Sequence, residues 1–227
     1  MEDLTHRMAL AVDHTRLHAD AHAIAERLQR SLLPELSDAG GLRVTARYAP
    51  ATATAEVGGD WYDSFLLPQG DTTLITILRR LHIAMEALYP DRTATCVYGL
   101  LKGPHGGPYD LEWARAGHPP PLLVTADGDA SYLHDAQGML LGVDPHAERA
   151  GAGRPLPAGS TPLLYTDGLI ERRGESLGHG MIRWRRHAAA LVTKGLDGMC
   201  DEMINRLAVE SDDDVALLAL RLPRSCV

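Results

Sequence analysis

The 227-residue sequence has no pair of cysteines at Cys-x-x-Cys spacing and only three in all, Cys96, Cys200 and Cys226. So odd and scattered a set excludes a disulfide frame and a thiolate zinc site, and reads as free thiols in a reducing compartment. No apolar stretch is long enough to cross a bilayer. The opening residues, Met1-Glu2-Asp3-Leu4, are acidic with no apolar core behind them, unlike a signal peptide. These absences predict a soluble, cytoplasmic chain with no membrane partner. Basic residues are in deficit, 22 against 30 acidic ones for a formal net charge of -8, which disfavours nucleic acid as a partner. The densest charge run, Asp212-Asp213-Asp214, is too short for a binding tail. Two local absences matter more. Glycine and proline are missing from Leu4 to Leu33, and aspartate and glycine are missing between Asp71 and Tyr89.

What is present is ordinary globular composition, 45% hydrophobic and 23% charged, enough for one large domain with an appendage. The appendage is residues 1–34, an N-terminal linker helix rich in strong helix formers. Its Leu10, His14, Leu17, Ala21, Ile24, Leu28 and Ser31 form an approximate heptad seam that Pro34 ends. Such a seam suits a homodimer contact or a helix packed on its own domain. Residues 35–227 form the main domain. Strands are predicted at Arg43–Tyr48, Thr72–Ile77, Ala94–Leu101, Tyr109–Arg115, Pro121–Val124, Ser131–Leu133, Thr161–Thr166 and Val215–Leu222, with Gly and Pro turns between. Amphipathic spacing predicts helices over Leu78–Leu88 and Leu191–Leu207. This pattern predicts an α+β fold, antiparallel sheets with helices on their outer faces.

Three aspartates stand where strands end: Asp60 in Val57-Gly58-Gly59-Asp60-Trp61-Tyr62-Asp63, Asp167 in Leu164-Tyr165-Thr166-Asp167-Gly168, and the Asp212–Asp214 run before the last strand. Oxygen donors without His or Cys suit hard ions such as Mg²⁺ or Mn²⁺, and glycine beside a ligand lets the backbone approach closely. Each turn alone also reads as an ordinary solvated strand end, with Trp61 and Tyr62 as core. Spacing does not choose between these readings.

The ordered strings do more. Ala25-Glu26-Arg27-Leu28-Gln29-Arg30-Ser31-Leu32-Leu33-Pro34, Ala46-Arg47-Tyr48-Ala49-Pro50-Ala51, the Gly-Gly-Asp string and Ala94-Thr95-Cys96-Val97-Tyr98 come first. Then follow Ala114-Arg115-Ala116-Gly117-His118-Pro119-Pro120-Pro121, Leu140-Leu141-Gly142-Val143, the Asp-Gly string and Asp213-Asp214-Val215-Ala216. In this order the set resembles the bacterial sporulation stage II protein E-type phosphatases, of the protein phosphatase 2C-like superfamily. The resemblance implies two packed, mainly antiparallel sheets flanked by helices. It implies Mg²⁺- or Mn²⁺-dependent hydrolysis of phosphoserine or phosphothreonine on a protein, by metal-activated water with no covalent intermediate. The implied metal carboxylates are Asp60, Asp167 and Asp213, with Asp214 the neighbouring register choice and Gly59 and Gly168 as near-site backbone. His118 reads as the shaper of a rigid Pro-rich turn or as an acid or base. The implied partner is a phosphorylated anti-sigma-factor antagonist in a partner-switching circuit.

One family motif is missing. A second acidic turn, Gly-Asp-x-x-Gly-His-Gly, and the long helix after it would follow the strand near Thr72. Here Ile77 runs directly into Leu78-Arg79-Arg80. The absent Asp would bridge the two ions expected of the family, so one ion or none is the expectation here, and a catalytically inactive binding module is the alternative function. Either the protein is without the segment, or the sequence closes over it near residues 74–79. The second reading predicts consecutive Cα atoms between Leu74 and Arg79 far more than about 3.8 Å apart.

Overall fold

The computed structural model describes residues 42–50, 59–64, 74–144, 146–207, 211 and 213–224. The N-terminal helix, the 34/35 boundary, Asp212 and Cys226 lie outside them. Eight strands and three α-helices are described: β1 (Arg43–Ala49), α1 (Leu74–Leu88), β2 (Cys96–Lys102), β3 (Tyr109–Ala116), β4 (Leu122–Val124), β5 (Ala130–Tyr132), β6 (Gly151–Leu156), β7 (Thr161–Tyr165), α2 (Leu177–Ala190), α3 (Leu196–Leu207) and β8 (Val215–Arg221). The strands form a five-stranded sheet, β1-β8-β7-β4-β5, and a three-stranded sheet, β2-β3-β6. Every strand pair is antiparallel.

Strand alternation sorts side chains into four layers. Leu122 and Val124 of β4, Leu163 and Tyr165 of β7, and Val215, Leu217 and Ala219 of β8 pack against Trp184 and Ala188 of α2 and Met199 and Met203 of α3. The intervening Leu123, with Leu222 just past β8, turns the other way and meets Tyr109, Leu111 and Trp113 of β3 and Leu156 of β6. On the far side, Leu74 and Leu78 of α1 pack on Ala114, with Cys96, Tyr98 and Leu100 of β2 beside them. The order is helices, sheet, sheet, helix, as the sequence predicts.

Three expectations are corrected. Residues 74–77 are not a strand but the first turn of α1, a 15-residue helix running unbroken through Leu74–Arg79, so the expected chain break is not there. The buried residues Leu74, Leu78 and His82 recur every four positions. That helical stripe overrides the β-propensity of the Ile and Thr between them. The predicted Leu191–Leu207 helix is shorter: α2 ends at Ala190, Leu191 is its C-cap, and α3 begins at Leu196. Finally, β6 and α2 were not expected. β6 carries Gly151, Gly153 and Pro155 and is tolerated as a sheet edge. α2 contains two glycines, with Ser176 capping its N-terminus by accepting the His179 N–H at 3.4 Å.

Those two glycines have opposite constraints. A Cβ on Gly180 would lie 1.8 Å from the Ile170 carbonyl oxygen, whereas one on Gly178 meets nothing within 4 Å among the described residues. Gly178→Ala should therefore stabilise the protein by up to about 1 kcal/mol, as relief of glycine's helix penalty. Gly180→Ala should destabilise it by about 1–3 kcal/mol through overpacking. Urea midpoints of the two variants check this, and shifts of the same sign would contradict it.

Candidate metal centre

β7 and β8 lie side by side, with Leu163 opposite Ala219 and Tyr165 opposite Leu217. The end of one strand and the start of the other therefore share one end of the sandwich. The pairing continues past the strands: the Thr166 N–H donates to the Ala216 carbonyl at 3.0 Å, and the Ala216 N–H donates to the Thr166 hydroxyl at 2.8 Å. Asp167 then opens a 3-10 turn, Asp167–Leu169. Its side chain accepts the Gly168 N–H at 3.1 Å, and its carbonyl accepts the N–H groups of Ile170 and Glu171, each at 2.8 Å. The local chain is thus fixed by its own turn.

Gly168 locks this turn to the one before β8. A Cβ there would lie 2.3 Å from the Asp214 carbonyl oxygen and 3.1 Å from the Ser211 hydroxyl. Only glycine admits that approach. On the opposing side, Ser211 donates to the Asp213 carbonyl at 3.0 Å and accepts the Asp213 N–H at 3.2 Å. Asp213 Oδ1 accepts the Asp214 N–H at 2.8 Å. Asp213 is exposed and Asp214 buried, so of the two register choices the second faces inward. Gly59 differs from Gly168: it is exposed, and no described residue lies within 4 Å of a Cβ there. Trp61 is 63% exposed and is not core.

Asp60 meets this pair of turns. Its carboxyl is pushed up to about 7, first by burial and then by the negative charges of Asp167, Asp213 and Asp214, while a hydrogen bond from the Thr166 hydroxyl works the other way. Its Oδ2 is buried and has no hydrogen-bond partner among the described residues. Asp167, Asp213 and Asp214 are thus each within electrostatic reach of Asp60. Two residues without a predicted role join them, Thr166 and Tyr48. The Tyr48 hydroxyl hydrogen-bonds Asp214, and burial chiefly raises its pKa. A Thr before Asp-Gly and a Tyr in an alternating strand gave no signal of this by themselves.

The donors are all oxygen, and an orphaned buried carboxylate oxygen amid three other carboxylates lacks a counter-charge. That chemistry fits a hard divalent cation. Among the described residues, no three His, Cys, Asp or Glu side chains are gathered closely enough to hold a metal ion. His118 stands behind the site. Nε2 lies 2.9 Å from the Tyr165 carbonyl, which can only accept, so Nε2 carries the proton. Burial depresses the His118 pKa, keeping the ring neutral, so Nδ1 accepts from the Thr95 hydroxyl at 3.0 Å. Its own carbonyl accepts from Arg115 Nη1 at 3.0 Å, and Arg115 also donates to the carbonyls of His134 and Asp135. Both ring nitrogens are thus committed to Thr95 and Tyr165.

The Asp60 shift has a definite sign. Between the ordinary carboxylate value of 3.8 and about 7, the folded protein keeps a proton that the unfolded chain has released. Stability contributed by Asp60 therefore falls as pH rises through that window. In metal-free protein, Asp60→Asn should raise Tm at pH 8 by about 2–4 °C, the shift that about 1 kcal/mol produces in a domain of this size. The gain should shrink towards pH 4.5. Equal losses of Tm at both pH values, followed by thermal unfolding, would contradict the geometry.

Residues 49–223 match the family model of stage II sporulation protein E (SpoIIE). Among solved structures, the RsbU and RsbW domains of Rv1364c from Mycobacterium tuberculosis are 25% identical with a TM-score of 0.68. The match covers 83% of this chain but 63% of that one, less than two thirds of its length. The SiaA-PP2C domain of Pseudomonas aeruginosa is 16% identical over 93% of this chain and 99% of its own, TM-score 0.58. The catalytic domain of the serine threonine protein phosphatase PstP, in complex with two manganese ions, is 15% identical over 80% and 98%, TM-score 0.55. The last two are likenesses of fold. The fold is that of the PP2C-type serine/threonine phosphatases, and the chain belongs to the stage II sporulation protein E family.

Proposed function

We propose that this chain is a Mn²⁺- or Mg²⁺-dependent phosphatase acting on phosphoserine or phosphothreonine of a protein, the substrate being an anti-sigma-factor antagonist in a partner-switching circuit. The observation that carries the reading is the buried Asp60 Oδ2, which has no hydrogen-bond partner among the described residues and feels the negative charges of Asp167, Asp213 and Asp214. Family membership and the fold support it. The resemblance to the RsbU and RsbW domains supports the choice of circuit.

Asp60, Asp167 and the Asp213–Asp214 pair would hold the ion. When bound, a divalent cation lowers the pKa of a coordinated water and offsets charge on phosphoryl oxygens. The chain's own part is to present the carboxylates. The β7–β8 pairing and the close approach of Gly168 to Asp214 set the Asp167 turn against the Asp214 turn, and neutral His118 buttresses the strand end from behind. Without a cation the cluster repels a phosphoryl group, so activity should depend wholly on added metal.

A second reading has its own observation. The missing Gly-Asp turn removes the carboxylate expected to bridge two ions, which favours a module that binds a phosphoprotein without turnover. Hydrolysis of a phosphoserine protein by the full-length gene product, with and without Mn²⁺, separates the two. Mn²⁺-dependent phosphate release that falls at least about 100-fold in Asp167→Asn is the expected result, the scale of losing a key charge-stabilising group. Absence of Mn²⁺-dependent turnover, with phosphoprotein binding retained, would establish the binding module instead.

A further inference from the structure

β4 and β7 pair from Val124 opposite Thr161 to Leu122 opposite Leu163. Continuing that register by two residues sets Pro120 opposite Tyr165. The Thr166 N–H turns to β8, where it donates to the Ala216 carbonyl at 3.0 Å. Successive residues of an antiparallel strand offer their backbone groups to opposite sides, so the Tyr165 carbonyl turns the other way, to β4. There the chain reads Pro119-Pro120-Pro121, three residues without an N–H to give. The ladder has no backbone donor with which to continue.

The side chain of His118 supplies one. Its Nε2 donates to the Tyr165 carbonyl at 2.9 Å. The peptide unit joining Tyr165 to Thr166 is therefore held on both sides, its carbonyl by the imidazole and its N–H by β8. The ring is held in turn. The Thr95 hydroxyl donates to Nδ1 at 3.0 Å, which keeps the ring proton on Nε2, and Arg115 Nη1 donates to the His118 carbonyl at 3.0 Å. The Tyr165 hydroxyl donates to the Pro120 carbonyl at 2.9 Å, tying the proline turn to the same strand end. Asp167 follows this peptide unit by one residue.

We propose that His118 is a positioning residue whose imidazole stands in for the ladder donor that the prolines remove, and so sets where β7 hands over to the Asp167 turn. It acts through the Tyr165–Thr166 peptide and touches neither ion nor substrate, which leaves it no part as an acid or base. Without that donor the strand end, and the Asp167 carboxylate with it, would drift from the turn before β8 and loosen the seat for an ion. This consequence for an ion rests on the reading of the acidic turns as a divalent-cation seat; the placing of the turn does not.

Amide hydrogen exchange, followed by NMR on the whole metal-free chain, reads the placing directly, and isothermal titration of Mn²⁺ into the same variants reads its consequence. In His118→Leu the Thr166 and Ile170 amides, bonded to the Ala216 and Asp167 carbonyls, should exchange about 10-fold faster, the scale of one lost hydrogen bond. Mid-strand amides of β7 and β8 should keep their rates. His118→Gln, whose side-chain amide can donate from the place of Nε2, should stay within about 3-fold of the unaltered protein. Mn²⁺ affinity should fall about 10-fold in His118→Leu, the low end for losing an outer support of a metal site, and be largely kept in His118→Gln. Unchanged exchange at Thr166 and Ile170 in His118→Leu would overturn the proposal. So would faster exchange spread evenly over β7 and β8, or Gln no better than Leu. Should His118→Leu not fold, Thr95→Val decides: the same two amides should exchange about 3-fold faster, and equal rates would overturn the proposal. No Mn²⁺ binding by the unaltered protein would overturn the cation seat, while the exchange rates still decide the positioning role.

Discussion

The antiparallel pairing of β7 with β8 is the constraint on which the site depends. Two segments about fifty residues apart in sequence, each ending or beginning in aspartate, are placed side by side by a register that the apolar residues choose. Leu163, Tyr165, Leu217 and Ala219 must face the helices, and a slip of one residue would turn all of them towards the other sheet. Once that register is set, Thr166 and Ala216 exchange hydrogen bonds, and Gly168 can press against the Asp214 carbonyl. The acidic end is a consequence of how the core packs.

That end is electrostatically uncomfortable by itself. Among the described residues, no donor reaches the buried Asp60 Oδ2, and three acidic neighbours act on the carboxyl, an arrangement whose cost a bound cation would offset. The scaffold behind it is correspondingly firm. Arg115 spends its guanidinium on backbone carbonyls, one of them that of His118, and His118 spends both ring nitrogens on Thr95 and Tyr165. The opposite face is less complete. Among the described residues, α1 alone packs on the outer side of the three-stranded sheet, and its Ile83 and Leu88 are 58% and 70% exposed. The family's second acidic turn and its helix are missing from this same part of the chain.

Much of the fold was legible because compact apolar runs between turns become β3, β4, β7 and β8, which are mostly buried; in β1 the buried residue is Thr45, not one of the alternating Val44, Ala46 and Tyr48. The exceptions have physical causes. β6 has no alternating pattern, and exists because β3 offers an edge to a segment of Gly and Pro. α2 hides behind glycines and arginines, its stripe reduced to Trp184, Ala188 and half-buried Met181. Residues 74–77 read as a strand because Ile and Thr dominate locally, while Leu74 and Leu78 bury as a helix. In the site, Asp60 and Asp167 were legible from their glycine-flanked strings. The burial of Asp214 beside exposed Asp213, and the placing of Tyr48 and Thr166 on either side of Ala216, follow only from cross-strand register, which no local pattern encodes.

The most direct test of the central claim, that the acidic turns form one cation seat, is an anomalous difference map from crystals grown with Mn²⁺. The account predicts a peak within bonding distance of Asp60 Oδ2, between the Asp167 turn and the Asp213–Asp214 turn. Ordered protein with full Mn²⁺ in the medium, no peak at that position and Asp60 Oδ2 still unpaired would contradict it.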